Sequence, residues 1–207
     1  MSSVSSTVIQ DIKAMSEAGQ VSMAYFYFDF RNVNKQPLSD LIPALLMQLS
    51  AHSDPCRDIL LRLHKAHDSG RVQPSDVDLA NCLQDMLTLG DERPIYLIID
   101  ALDECPNTFG IPSPREQVLQ LVKELVDLRL PRLHICITSR PEIDIQNVLK
   151  PLTTFQVCLH DQSGQRKDIA EYVKLVVYSD LEPIMKRWKT EDKDLVIETL
   201  SKRADGM

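Results

Sequence analysis

Asp100, Asp103 and Glu104 put three carboxylates within five positions, directly behind the run Ile95-Tyr96-Leu97-Ile98-Ile99. So crowded a set repels itself, and near a buried strand end it needs a cation or raised pKa values to persist. The run is continuous in its hydrophobicity, which predicts a parallel strand covered on both faces. Ligands of open α/β sheets bind beyond the carboxyl ends of such strands, where Asp100 falls. A carboxylate there suits Mg2+ held against the phosphates of ATP or GTP. Asp100 is thus the candidate metal and cofactor ligand, with a plain cap on the turn at Leu102 as the alternative. Asp103 and Glu104 are candidate catalytic residues that orient an attacking water, although either one also suits an acidic solvated loop.

Arg140 closes a second apolar run, Leu133-His134-Ile135-Cys136-Ile137, after the polar tip Thr138-Ser139. A guanidinium there reaches a γ-phosphate and reports its presence, or forms a salt bridge to Asp100 or Glu104. The phosphate loop that accompanies such groups, G-x-x-x-x-G-K-[ST], occurs nowhere in the 207 residues. His64 and His67 lie three apart with no third ligand in sequence reach, and read as a solvent-facing pair instead of a zinc site. His134 and His160 read as structural flanks of strands. Neither Ser139 nor any cysteine has the surroundings of a nucleophile elbow.

The elements that must carry these groups are well punctuated. Val4, Val8, Ile12 and Met15 have helical spacing, and Ala24-Tyr25-Phe26-Tyr27-Phe28-Asp29-Phe30 is a strand by its aromatic content. Leu38, Leu41, Ile42, Leu45, Leu46 and Leu49 mark a helix face that tolerates Pro43 only in a first turn. Asp54-Pro55 supplies an N-cap with proline behind it, and Gly70 the stop. Ser75 opens a helix whose core face is Leu79, Cys82, Leu83, Met86 and Leu87, with Gly90 at its end. Ser113-Pro114-Arg115-Glu116 is a capping box at the head of a helix through Val118, Val122, Leu125 and Val126. A short helix near 143–149 and a strand near 154–159 complete an alternation that implies a doubly wound parallel sheet. Beyond Asp161, Ile169, Tyr172, Val173, Val176 and Val177 form one helix face, and Thr190-Glu191-Asp192 starts a helix running to Gly206.

Composition excludes several classes. Hydrophobic content of 43% and charged content of 26% are ordinary for a globular protein. A net charge of -7 argues against nucleic-acid or anionic-membrane partners, which demand clustered Lys and Arg. No apolar run spans a bilayer, and residues 1–18 carry no signal-peptide core. The five cysteines (Cys56, Cys82, Cys105, Cys136, Cys158) include no C-x-x-C pair and read as buried reduced thiols of a cytoplasmic protein. The acids Glu182, Glu191, Asp192 and Asp194 read as a hydrated surface.

Taken together, Leu97-Ile98-Ile99-Asp100-Ala101-Leu102-Asp103-Glu104 resembles the NACHT form of the Walker B motif, with a small residue behind the magnesium aspartate. Cys136-Ile137-Thr138-Ser139-Arg140-Pro141 resembles that family's sensor-1 strand, and Phe26-Tyr27-Phe28-Asp29-Phe30-Arg31 is similar to filamentous-fungal members with a nephrocystin-type N-terminal domain. The resemblance implies a P-loop NTPase-like three-layer α/β fold and a STAND-class switch that binds ATP or GTP with Mg2+ and oligomerises, often joined to ankyrin repeats. It also implies that the phosphate loop and first strand are missing. The expected division is a truncated NACHT nucleotide-binding core over 1–160 and the start of a small all-helical subdomain over 161–207.

In the family's sheet order the missing strand lies beside the sensor-1 strand, leaving a slot about 10 Å wide, two interstrand spacings. A triphosphate would meet the acidic trio without a lysine or a nest of amide donors to offset its charge. The expectation is very weak nucleotide binding and no useful turnover by this chain alone. A second reading is a non-enzymatic interaction fragment or decoy that pairs with homologous NACHT chains through the open slot. A phosphohydrolase with a strand-end metal ranks behind both, because Asp29 is the sole obvious further ligand.

Overall fold

The three apolar runs form parallel strands in the computed structural model, which describes residues 3–29, 37–89, 92–108, 110–157, 163–178 and 188–203. β1 (Ser22–Tyr27), β2 (Ile95–Asp100) and β3 (Leu133–Ile137) lie in the order β1-β2-β3. Tyr27 stands beside Asp100 and Ile99 beside Ile137, so the three strands end nearly level. Parallel neighbours need long crossovers, and helices supply them. α2 (Pro37–Ala51), α3 (Asp54–Ala66) and α4 (Asp76–Leu89) lead from β1 to β2, and α5 (Pro114–Asp127) leads from β2 to β3. α1 (Ser3–Glu17) precedes the sheet and α6 (Ile143–Leu149) follows it.

Successive strand side chains point to opposite faces. Ala24, Phe28, Leu97 and Ile99 pack with Leu45, Leu83, Met86 and Val118 of α2, α4 and α5. Met23 and Ile98 face the other way, against Ile9 of α1. The chain is therefore mixed α/β, with helices on both faces of the sheet. Two-sided burial explains the unbroken run of β2, where Ile95, Leu97, Ile98 and Ile99 are all at most 3% exposed. β3 is different. Its ladder is pinned by Ile95 N–H to Arg132 O at 2.8 Å and Thr138 N–H to Ile99 O at 3.0 Å. The alternation between those bonds turns the amides and carbonyls of Ile135 and Ile137 away from β2. Among the described residues no strand pairs with that outer edge.

Local signals were mostly met, with informative shifts. The capping box forms in full, Ser113 accepting from the Glu116 N–H while the Glu116 carboxylate accepts from Ser113 N–H at 2.7 Å. At α3 the N-cap is Ser53, not Asp54, and Pro55 sits just inside. Pro43 lies seven residues into α2, past the first turn, where it removes one helical donor. Among the α1 side chains described, Ile9 is the buried one, a position outside the face marked by Val8, Ile12 and Met15. β1 stops at Tyr27 because its partner strand turns away after Asp100; Phe30 and Arg31 lie outside the described residues. The strand expected near 154–159 is absent over 154–157, where Phe155 and Val157 are exposed and gain nothing by extension. Cys158, Leu159, His160, Gly90, Glu182 and Gly206 lie outside the described residues.

The chain divides into two compact units, residues 1–152 and 153–207. In the second, α7 (Ser163–Tyr178) packs with α8 (Thr190–Arg203). The Tyr178 hydroxyl donates to Asp194 at 3.0 Å and Lys193 lies 4.8 Å above its ring. Val177 is buried there, whereas Tyr172 and Leu175 are exposed. None of the described helices is long and apolar enough to cross a membrane.

Candidate functional site

Asp100 ends the central strand with only 3% of its surface exposed. The Thr138 hydroxyl, one residue past β3, donates to the Asp100 carboxylate and accepts the Ala101 N–H at 3.0 Å. Leu102 N–H donates to Thr138 O at 3.0 Å, so this threonine bolts the two strand tips together. Its hydroxyl also explains why a polar residue follows the apolar run. Tyr27 stands beside Asp100 in register, and its phenol is pushed up by burial, then by Tyr25 and the Asp100 charge. The Cys136 thiol is likewise raised, by burial first and the Asp100 charge second.

Ala101 then leaves the sheet in the left-handed region, φ 56° and ψ 48°. This conformation is strained for any residue with a Cβ and worse for a branched one. It leads into a 3-10 turn, Leu102–Glu104, anchored by a fully buried Leu102. Ala101→Gly is expected to stabilise the first unit by about 1 kcal/mol, and Ala101→Val to destabilise it by about 2 kcal/mol, measured by urea denaturation.

The turn separates the acids. Asp103 accepts the Arg140 N–H at 3.0 Å, and its other oxygen lies 3.4 Å from Arg140 Nε. Arg140 thus forms a salt bridge to Asp103, where the salt-bridge alternative named Asp100 or Glu104; the turn that brings Asp103 to it follows the left-handed step at Ala101. Glu104 is half-buried at the turn's end, its N–H donating to Ala101 O at 2.9 Å. No three His, Cys, Asp or Glu side chains among the described residues converge on a cation position. One buried carboxylate beside a hydroxyl does not enclose an ion by itself. It does suit Mg2+, which usually keeps several waters and takes one or two carboxylates plus substrate phosphates.

Arg115 is the residue that sequence reasoning missed. Its place in the capping box accounts for none of its contacts: its side chain is 7% exposed and salt-bridged to Glu142 and Asp144. A signal was available: a cation in a helix's first turn opposes the macrodipole and needs its own acceptors. Burial works against its charge, but hydrogen bonds to Glu142 and Asp144 outweigh this and hold its pKa up.

Several of the described histidines and cysteines serve the framework. His67 is no solvent-facing partner of His64: its ring bridges Leu63 O at 3.0 Å and Asp78 at 3.3 Å. His134 stacks on Tyr96, ring centroids 4.8 Å apart. Cys56, Cys82 and Cys105 are free and buried. Burial pushes the Cys82 thiol up to about 11 and the Cys105 thiol up to about 12. Both stay protonated in the fold at pH 8, so a thiol reagent is expected to label them only on unfolding, as followed by mass spectrometry.

A parallel α/β unit with a buried carboxylate at the end of its central strand, tied to the tip of the next, is the class that this geometry defines. Residues 2–140 match the family described as nephrocystin 3, N-terminal, and the chain belongs to that family. No curated protein and no solved structure matches it significantly.

Proposed function

We propose that this domain is the metal-facing half of a nucleotide-dependent switch, a P-loop NTPase-like module of the NACHT kind in the STAND class. Asp100 would hold Mg2+ bound to ATP or GTP, and Arg140 would meet the terminal phosphate. Support comes chiefly from one observation: Asp100 and Arg140 sit at adjacent strand tips, linked through Thr138 and Asp103. Family membership and the strand order β1-β2-β3 agree with it. Mg2+ supplies neutralisation of phosphate charge. The chain's own contribution is to keep Asp100 buried against the Thr138 hydroxyl, and to present Arg140, whose side chain is 83% exposed, toward an incoming anion. Asp103 is engaged with Arg140, so any role in orienting water begins with the release of that pair.

Within these 207 residues no phosphate-loop lysine offsets the triphosphate, and the net charge is -7. Calorimetric titration with Mg-ATP and Mg-GTP is therefore expected to give only millimolar affinity and no turnover; micromolar affinity would contradict this. The reading itself is tested by paramagnetic broadening with Mn2+-ATP. Broadening centred on the amides beside Asp100 supports it, and broadening elsewhere or nowhere refutes it. A second reading, an interaction fragment that pairs with homologous chains, has separate support in the outer edge of β3, which is open among the described residues. Size-exclusion chromatography with a complete homologue tests that, co-elution being the expected sign.

A further inference from the structure

Arg115 holds two segments that are distant in sequence. Its Nε donates to Cys105 O at 3.0 Å, and one terminal nitrogen donates to Asp103 O at 2.6 Å. Both acceptors belong to the acidic turn and its exit. The other terminal nitrogen donates to Glu142 and, at 3.1 Å, to Asp144. Those acids lie two and four residues past Arg140, and Glu142 N–H returns to Arg140 O at 2.8 Å. One planar fork therefore spans the two halves of the Asp103–Arg140 pair from behind.

We propose that Arg115 is the positioning residue of this site: by clamping the acidic turn and residues 140–144 on one guanidinium, it sets Asp103 and Arg140 at contact and presents Arg140 to the anion. What is presented rests on the nucleotide reading above; the clamp itself does not. Lysine cannot replace it, because a point ammonium with three donors cannot serve two carbonyls and two carboxylates in one plane. Arg115 touches no reacting atom in this account and acts through its neighbours.

The test uses the full chain as Arg115→Lys, with Glu142→Gln as a milder second variant should the first not fold cooperatively. Amide hydrogen exchange at Arg140 is expected to rise about tenfold more than at Leu97 and Ile98 of β2 in either variant. Unchanged exchange at Arg140 overturns the proposal. So does equal acceleration in β2, which marks a merely global role. In a second arm, Mn2+-ATP is expected to broaden Ala101 and Arg140 in the parent chain, and Ala101 alone in the variant. Persistent broadening at Arg140 in the variant also overturns the clamp. Absence of broadening in the parent chain defeats the nucleotide reading instead, and the exchange arm still decides the role of Arg115.

Discussion

Arg115→Met lowers the stability of the first unit by about 3 kcal/mol, read as a shift in the urea midpoint at constant slope. Methionine keeps much of the volume, so the loss is electrostatic. The Asp103 and Cys105 carbonyls are left near a side chain that cannot donate, and each such buried acceptor costs about 1–3 kcal/mol. Glu142 and Asp144 lose their shared cation, but both side chains are more than a third exposed, and water compensates them in part. For that reason the estimate sits at the lower end for a broken buried pair. A loss below about 1 kcal/mol would mean that the fork contributes little beyond its packing.

Leu97→Ala is expected to cost about 3–4 kcal/mol, enough to remove a large part of the stability of a small domain. Leu97 is fully buried in the middle of β2, flanked by Ala24 of β1 and Ile135 of β3 in register. Helices close over it on its own face, and little room exists for collapse into the space. The same truncation should reach function, because Asp100 lies three residues on along the same strand. Thermal melting by circular dichroism checks the first effect. A change in the Thr138 hydroxyl environment by NMR checks the second.

β2 and its acidic end were legible because two-sided burial writes a continuous apolar run, and the capping box of α5 because both its halves lie within four residues. Helix faces in α2 and α4 were legible by the same periodic logic. The errors were non-local. Aromatic content extends the expected β1 past Tyr27 over Phe28 and Asp29, but a strand's length is set by its neighbour, and β2 turns at Ala101. The pairing of Arg140 with Asp103 depended on one left-handed residue, and spacing alone gave no means of choosing among three acids. Arg115 was hidden for the same reason: its acceptors lie up to 29 positions away, on segments whose approach only the fold determines.

The unequal cover of the three strands has a mechanical consequence. β2 is buried at every residue but Tyr96, whereas all five residues of β3 are partly or fully accessible and one rim of its backbone is unpaired among the described residues. Breathing of the sheet must begin at that rim and unzip inward. Asp100 is rooted in the stiff centre, while Thr138 and Arg140 hang from the soft margin. Whatever chain segment comes to lie along β3 will therefore quieten Arg140 without touching it, and its arrival will be felt at the carboxylate through a single threonine.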